Sequence, residues 1–209
     1  MKPSLRGLYA IADTQYLDDA HLAPAVEAAI AGGARVVQYR DKKHPPEVRR
    51  RHARKISDLC RRHGVPFLVN DDVALAMETG ADGVHLGRED MGLRAARALL
   101  GDNKLIGVSC YNELERAPAA ERNGADYIAF GSFFPSRTKP DAVRAAPELL
   151  RAARKQIRIP IVAIGGITPE NGAALIEAGA DMLAVIDGVF NQTDIRTAAQ
   201  RYAQLFPPE

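Results

Sequence analysis

The chain has 209 residues with 28 basic and 26 acidic side chains, for a formal net charge of +2. This balance gives no reason to expect nucleic acid or an anionic membrane as a partner, and no apolar run reaches the roughly 18 residues of a membrane-spanning helix. The two cysteines, Cys60 and Cys110, form no metal-ligand cluster, so we expect a reduced, cytoplasmic compartment and a fold without a disulfide.

Eight β-rich runs follow one another along the chain, and a helical pattern follows each of them. The runs predict strands over residues 8–12, 36–39, 67–69, 83–86, 105–109, 127–131, 161–164 and 182–186. Every second run is preceded by a short repeat that begins at Gly33, Gly80, Gly124 and Gly179. Glycine after a helix is expected in the left-handed conformation that ends helices. The repeat therefore marks units of two strands and two helices.

Strands that alternate with helices predict a parallel sheet. Eight such units in about 200 residues match a small closed (βα)8 TIM barrel. Because no composition break or linker interrupts the pattern, residues 1–209 are predicted to form a single domain. A doubly wound open sheet is the alternative. It is favoured by a glycine-rich turn after the first strand, whereas residues 13–16 contain no glycine.

Polar and charged groups follow all eight predicted strands. Barrels of this class carry the active site at the C-terminal ends of the strands, so we expect these groups to converge on one mouth. In chain order they are Asp13, residues 38–42, 70–72 and 85–90, Ser109, and residues 131–132, 165–168 and 186–188. The opposite ends carry mostly glycine, alanine and proline. This asymmetry indicates a functional site at the mouth.

Gln38, Arg40 and Lys42 alternate along the second strand and its extension, which places their side chains on one side. An amide, a guanidinium and an ammonium together suit a polar ring that carries a polyphosphate. Alternatively, Arg40 and Lys42 pair with Asp41 and Asp71 on a solvated rim.

Asp71 and Asp90 follow adjacent strands, so their carboxylates could share one cation. Hard oxygen ligands with positions open to water and substrate phosphate describe a Mg²⁺ site rather than a zinc site. Each aspartate could instead cap a helix, although Asp72 is a better cap candidate than Asp71.

Two connections favour phosphate binding. Residues 165–170 contain two glycines and open a helix, whose N–H groups can face a phosphate. Residues 132–141 form the longest connection and suggest a lid, because their hydroxyl, arginine and lysine side chains can close over phosphates. His85 and Cys110 lie near the mouth without a visible partner, and we assign them no catalytic role. The basic run at 49–51 is interpreted as a solvated helix face.

Six motifs stand in this order: QYRDK at 38–42, VNDD at 69–72, GVHLGRED at 83–90, GVS at 107–109, FGSFFPSRTKPD at 130–141 and AIGGIT at 163–168. Together they resemble one family, the thiamine-phosphate synthases, over nearly the whole chain. The resemblance implies an enzyme that joins hydroxymethylpyrimidine diphosphate to hydroxyethylthiazole phosphate, releasing pyrophosphate and thiamine phosphate. It also implies a dissociative mechanism, in which pyrophosphate leaves first and the thiazole nitrogen attacks the resulting carbocation.

The resemblance further implies roles for residues at matching positions. Gln38 and Asn70 would hold the aminopyrimidine, and Asp71 and Asp90 would hold Mg²⁺. The diphosphate would be held by Arg40, Lys42, Ser109 and Lys139, of which Arg40, Ser109 and Lys139 are the candidate catalytic residues. The thiazole phosphate would be held by Ser136, Thr138, Gly166, Ile186 and Asp187.

This chain departs from the family at two of these positions. The family often has serine where this chain has Asp187, and threonine where it has Ser136. The first change places a negative charge beside a phosphate, which leaves the task of that side chain open.

Two other functions remain as alternatives. A ligand-binding paralogue without activity should have lost the metal pair or the Gln-x-Arg-x-Lys set. An isomerase, either a thiazole tautomerase-like relative or a sugar-phosphate isomerase, would need one phosphate site without the metal and diphosphate set. The sequence leaves open whether the chain is a monomer or a homo-oligomer.

Overall fold

Eight parallel strands form a closed barrel in the computed structural model, which describes residues 3–136 and 143–207. The strands are β1 (Gly7–Asp13), β2 (Ala34–Arg40), β3 (Phe67–Asn70), β4 (Gly83–Leu86), β5 (Leu105–Tyr111), β6 (Tyr127–Phe130), β7 (Ile161–Ile164) and β8 (Met182–Val185). They pair in chain order, and β8 pairs with β1 to close the sheet. The predicted (βα)8 TIM barrel is confirmed, and the open doubly wound sheet is excluded.

Helices follow the strands and cover the outside of the barrel. They are α1 (Asp19–Ala31), α2 (Pro46–His63), α3 (Val73–Thr79), α4 (Leu93–Leu100), α5 (Arg116–Arg122), α6 (Pro147–Arg154), α7 (Pro169–Glu177), α8 (Asp187–Phe190) and α9 (Ile195–Ala203). Within residues 3–136 and 143–207, none of the helices combines the length and apolar character that a membrane crossing requires.

Side chains of each strand alternate between the barrel interior and the surrounding helices, as the period of two requires. In β1, Tyr9 and Ile11 belong to the interior cluster, whereas Leu8 and Ala10 pack in the cluster shared with the helices. The interior cluster consists of Leu5, Tyr9, Ile11, Val36, Leu68, Leu105, Tyr127, Ala129, Val162, Met182 and Ala184. The same alternation continues toward the C-terminal ends, where polar residues take the interior positions: Gln38 follows Val36, and Asn70 follows Leu68.

Each predicted strand is present, but the fifth strand extends further than predicted. The prediction ends this strand at Ser109, but β5 continues to Tyr111 through a shift of register against β6. Tyr111 adopts a left-handed backbone with φ of 56°. Irregularities of this kind re-aim side chains at the end of a strand, and the sequence pattern contains no sign of this one.

Three of the four repeats read Gly-Ala-Asp, and their aspartates bind backbone N–H groups at the N-terminal end of the barrel. Asp82 accepts from Phe67 at 2.8 Å, Asp126 from Ile106 at 2.7 Å and Asp181 from Ile161 at 2.7 Å. These carboxylates satisfy strand N–H groups where the sheet begins. The repeat therefore has a structural purpose, and its four glycines have the positive φ that the sequence predicts.

We expect Asp126→Ala to lower the free energy of unfolding by roughly 1–3 kcal/mol, because a buried N–H would lose its acceptor. The carboxylate also pairs with Arg97 at 2.6 Å, and the N–H that it binds belongs to the fully buried Ile106. Urea denaturation measures the change, and kcat should stay at the wild-type value because the site is at the opposite end of the barrel. A wild-type unfolding midpoint would contradict this account of the repeat.

The basic run at 49–51 lies on α2 and pairs with acidic side chains of its neighbours. Arg49 contacts Asp72 at 2.9 Å, Arg50 contacts Glu78 at 2.6 Å and Arg51 contacts Asp19 at 2.6 Å. Ion pairs on the surface contribute little to stability. The arrangement fits the predicted solvated helix face.

Candidate active site

Two adjoining cavities open at the C-terminal ends of the strands. The large cavity has a volume of about 710 Å³ and the small cavity about 460 Å³, both within the range of roughly 300–1,000 Å³ that is usual for ligand pockets. They share a wall formed by Ser136, Ile164, Gly165, Ala184 and Ile186. Polar residues at or just after the ends of β2 to β8 line these cavities, so the predicted convergence of polar groups at the mouth is present.

The predicted site residues divide between the cavities and their surroundings. Gln38, Arg40, Asn70 and Ser109 line the large cavity, Gly166 and Asp187 line the small cavity, and Ser136 and Ile186 line both. Asp71 and Asp90 each follow a residue that lines the large cavity, and Lys42 contacts Asp71. Thr138 and Lys139 lie outside the described residues.

The Arg40 guanidinium is held by a buried carboxylate. Asp13 and Arg40 are register partners at the ends of β1 and β2, and Arg40 donates to the Asp13 carboxylate, whose side chain is 2% exposed. A second oxygen of Asp13 accepts from the backbone N–H of Gln15 at 2.9 Å. Arg40 therefore enters the large cavity in a fixed position, and its partner is Asp13 rather than Asp41, which the sequence suggested as the alternative.

The carboxylates of Asp71 and Asp90 lie next to each other. Burial raises the pKa of Asp71; the Lys42 ammonium opposes this, and the neighbouring Asp90 carboxylate raises it further. Two carboxylates this close repel each other when both are ionised, and a hard divalent cation suits such a pair. The donor set thus fits Mg²⁺.

Helix capping does not account for this carboxylate pair. Asp72 caps α3 by accepting from the Leu75 N–H at 2.9 Å, as predicted. The cap of α4 is Gly92, whereas the Asp90 carboxylate accepts from the Gly87 N–H at 2.6 Å. The capping alternative for Asp71 and Asp90 is therefore wrong.

Asp41 closes the turn between β2 and α2. Its carboxylate accepts from the Tyr39 hydroxyl at 2.6 Å, from the backbone N–H groups of Lys43 and His44, and contacts the His44 ring at 2.9 Å. Burial alone would raise the pKa of Asp41, but these hydrogen bonds lower it well below its usual range. The neighbouring His52 ring lies 2.8 Å from the Asp19 carboxylate. These contacts organise the turn that carries Lys42.

A chain of hydrogen bonds that the sequence analysis missed crosses the floor of the large cavity. Gln38 Nε2 donates to the Tyr9 hydroxyl at 2.5 Å, which lies 2.8 Å from the Tyr127 hydroxyl. His85 connects Tyr127 to Ser109, with 2.9 Å from each ring nitrogen to its partner oxygen. The signal for these residues was two tyrosines at inward positions of apolar strands, since a buried tyrosine hydroxyl usually has a partner.

Cys110 is the other residue near the mouth to which we assigned no role, and it is not one of the residues named in this chain of hydrogen bonds. Its side chain is buried. Burial raises the pKa of its thiol to about 12, so the thiol stays protonated. A nucleophilic function for Cys110 is not supported.

Gly166 lets the loop after β6 lie against the loop after β7. A Cβ at this position would lie 2.2 Å from the Pro135 carbonyl oxygen, and its φ of 62° is left-handed. The Phe134 N–H donates to the Gly165 carbonyl at 2.9 Å, which joins the same two loops. The wall between the cavities therefore depends on backbone contact that a side chain would prevent.

Asp187 begins α8 at the edge of the small cavity. Its carboxylate accepts from the Asn191 side-chain amide at 2.8 Å, four residues further along the chain. The preceding residue, Ile186, lines both cavities. The Asp187 side chain is thus engaged within its own turn.

Comparison with known proteins adds a second line of observation. The family whose sequence model matches residues 8–189 is described as thiamine monophosphate synthase. Thiamine-phosphate synthases from Nitrosococcus oceani and Nitrosospira multiformis are 53% and 55% identical to this chain. These alignments cover 99% and 97% of this chain, and 95% and 86% of the two relatives.

A solved structure agrees with this match. The thiamine phosphate pyrophosphorylase from Pyrococcus furiosus superposes with a TM-score of 0.87 at 35% identity, covering 95% of this chain and 94% of its own. The superposition therefore extends over nearly the whole of both chains. The chain belongs to the thiamine monophosphate synthase family.

Proposed function

We propose that the chain joins hydroxymethylpyrimidine diphosphate to hydroxyethylthiazole phosphate, forming thiamine phosphate and releasing pyrophosphate. The observation that carries this proposal is the pair of adjoining cavities with a shared wall. One is lined by amide, guanidinium and hydroxyl groups that suit a ring with a diphosphate, and the other by glycine-containing turns that suit a single phosphate. Membership of the family supports the same activity.

The large cavity would hold the pyrimidine substrate. Gln38 and Asn70 would bind the aminopyrimidine ring from interior positions of β2 and β3. The diphosphate would be bound by Arg40, Lys42, Ser109 and Lys139. Arg40 suits this task because its pairing with Asp13 fixes the guanidinium before the ligand arrives.

Asp71 and Asp90 would hold Mg²⁺ beside the large cavity. Support comes from the proximity of the two carboxylates and from their position after β3 and close to the end of β4. A bound Mg²⁺ supplies positive charge near the oxygens of a departing pyrophosphate. Lys42, which contacts Asp71, would contribute a second positive charge at the same place.

The reaction would proceed by departure of pyrophosphate before the new bond forms. The bond between the methylene carbon and the diphosphate oxygen breaks, and its electron pair leaves with the pyrophosphate. The aminopyrimidine ring stabilises the resulting cation, and the thiazole nitrogen then forms the carbon–nitrogen bond. Arg40, Ser109 and Lys139 would stabilise the negative charge that grows on the leaving group.

The small cavity would hold the thiazole phosphate. Ser136 and Thr138 would contact the thiazole, whereas Gly166, Ile186 and Asp187 would surround the phosphate. We infer that backbone N–H groups at Gly166 and at 186–188 bind this phosphate, because the Asp187 carboxylate already accepts from Asn191. A carboxylate about 4 Å from a phosphate would cost on the order of several kcal/mol at intermediate dielectric.

Asp187→Ala should therefore keep kcat within about twofold of the wild type, the range usual for a side chain outside the chemistry. The KM for the thiazole phosphate should stay level or fall, because a negative charge near the phosphate is removed. Initial rates at saturating pyrimidine diphosphate and varied thiazole phosphate measure both constants. A large loss of kcat would assign the carboxylate a catalytic task.

The proposal also covers the cellular compartment and the partners. The thiols of Cys60 and Cys110 are buried and unpaired, which favours the cytoplasm. The partners would be the small-molecule substrates, and residues 1–209 would act as one domain. Whether the chain works as a monomer or a homo-oligomer does not enter this proposal, since both cavities are built from one chain.

Mixing both substrates with Mg²⁺ and the purified protein tests the function. We expect pyrophosphate and thiamine phosphate in equal amounts, and neither product when one substrate is left out. A tautomerase-like enzyme would convert the thiazole phosphate alone, and a ligand-binding paralogue would bind the substrates without forming product. Either of those outcomes would replace the proposed function.

A further inference from the structure

The chain of hydrogen bonds under the large cavity has a direction that follows from counting protons. The Tyr9 oxygen accepts from Gln38 Nε2, so the Tyr9 proton goes to its other partner, the Tyr127 oxygen. The Tyr127 proton then goes to His85 Nδ1. Within residues 3–136 and 143–207, these are the partners of both phenols, and the reverse direction would leave the Tyr9 proton without an acceptor.

The remaining step sets the tautomer of His85. A neutral imidazole whose Nδ1 accepts a hydrogen bond carries its proton on Nε2. His85 Nε2 lies 2.9 Å from Ser109 Oγ, so the ring donates to that oxygen. The Ser109 oxygen then has its own proton available for a ligand in the large cavity, which Ser109 lines.

The fold holds the residues of this chain of hydrogen bonds in place. Tyr9, Tyr127 and Gln38 are at most 2% exposed, and burial raises the pKa of both phenols, so each retains its proton. Gly107 in β5 leaves room for the Tyr127 ring, because a Cβ there would lie 1.9 Å from the ring. The order Gln38, Tyr9, Tyr127, His85, Ser109 therefore connects the two sides of the cavity through buried contacts.

We infer that this chain of hydrogen bonds, in which each group donates to the next from Gln38 to Ser109, holds His85 as the Nε2–H tautomer. The Ser109 hydroxyl proton is thereby directed toward the departing diphosphate. This assignment rests on the proposed function. His85, Tyr9 and Tyr127 are positioning residues, because they act through Ser109 and Gln38. A diphosphate oxygen can only accept a hydrogen bond, so Ser109 has to donate, which is the direction that the proton count requires.

The same direction specifies what Gln38 can recognise. One N–H of its amide donates to Tyr9, which fixes the amide and leaves the carbonyl oxygen and the second N–H for other partners. The carbonyl oxygen accepts hydrogen bonds, so the ligand group that binds it has to be a donor, such as an N–H group. The amino group of an aminopyrimidine is such a donor. A pyrimidine diphosphate with hydrogen in place of the amino group should therefore bind more weakly.

NMR of protein labelled with ¹⁵N-histidine tests the tautomer without any catalysis. The resonances of His85 are identified by comparison with His85→Gln. We expect Nδ1 at the position of an unprotonated nitrogen and Nε2 at that of a protonated one. In Tyr127→Phe the donor to Nδ1 is lost, and the preference should weaken. A His85 ring protonated on Nδ1 in the wild type would overturn the inference.

Kinetics of Tyr127→Phe test the functional consequence. Tyr127 does not line either cavity among the described residues, yet we expect kcat to fall about 3- to 10-fold, the effect of one hydrogen bond. In a Ser109→Ala background the same substitution should change kcat little, because the chain then has no hydroxyl to direct. A loss of equal size in both backgrounds would reduce Tyr127 to a structural residue and overturn the inference.

Thr79→Val is the matched control. It removes another buried hydroxyl, which donates to the Leu75 carbonyl at 2.7 Å in α3, away from the chain of hydrogen bonds. We expect lower stability with kcat unchanged, whereas Tyr127→Phe should lower kcat. A wild-type protein that forms no thiamine phosphate would reject the proposed function, while the tautomer of His85 is decided by the NMR spectrum alone.

Discussion

The Asp71→Asn variant should lose activity by about 100- to 1,000-fold, because a metal ion contributes several kcal/mol to the stabilisation of a leaving group's charge. The change keeps the size of the side chain but removes the charge that would bind Mg²⁺ next to Asp90. High Mg²⁺ concentrations should restore part of the activity, since one carboxylate remains. Initial rates as a function of Mg²⁺ concentration measure both effects.

Asp72→Asn provides the matched control for this experiment. Asp72 is the next residue, but its carboxylate caps α3 and pairs with Arg49. Asparagine is itself a good cap, so we expect a modest loss of stability and an unchanged dependence on Mg²⁺. If the Mg²⁺ dependence of both Asp71→Asn and the corresponding variant Asp90→Asn were the same as that of the wild type, these residues would not be the metal ligands.

Arg40→Ala should lower kcat by roughly 30- to 1,000-fold, which corresponds to the loss of one charged contact worth about 2–4 kcal/mol in the transition state. Charge on the pyrophosphate grows as the bond breaks, so Arg40 should contribute more to the transition state than to the bound substrate. Lys139→Ala should act in the same direction. Steady-state kinetics with varied pyrimidine diphosphate separate kcat from KM.

The pairing of Arg40 with a buried carboxylate calls for a second variant. Alanine at position 40 would leave Asp13 buried without its partner, which destabilises the fold. The double variant Asp13→Asn with Arg40→Gln replaces the ion pair by two neutral amides and should restore stability. Its kcat should remain low. A normal kcat with a raised KM would show that Arg40 serves ground-state binding alone.

The barrel could be predicted because its signals are local and repeated. Each strand is a short β-rich run that a helical pattern follows, and the repeat beginning at Gly33, Gly80, Gly124 and Gly179 recurs before every second strand. The extension of β5 to Tyr111 could not be predicted, since it depends on a shift of register against β6. Tertiary pairing, not local propensity, decides where such a strand ends.

The cavity lining within one strand could be predicted, whereas contacts between residues of different elements could not. Alternation along β2 placed Gln38 and Arg40 in the large cavity, but Lys42 lies beyond the strand end, where its partner is Asp71. His85 could not be assigned from sequence because its partners, Tyr127 and Ser109, come from β6 and β5. A histidine looks isolated in sequence when the groups it contacts are supplied by other strands.

A crystal structure of the protein with Mg²⁺, thiamine phosphate and pyrophosphate tests the placement of the two substrates most directly. Pyrophosphate should lie in the large cavity between Arg40 and Ser109, with the metal on Asp71 and Asp90. The aminopyrimidine should face Gln38, and the phosphate of thiamine phosphate should lie against the Gly166 backbone in the small cavity. Pyrophosphate bound in the small cavity, or the thiazole phosphate beside Arg40, would contradict this account.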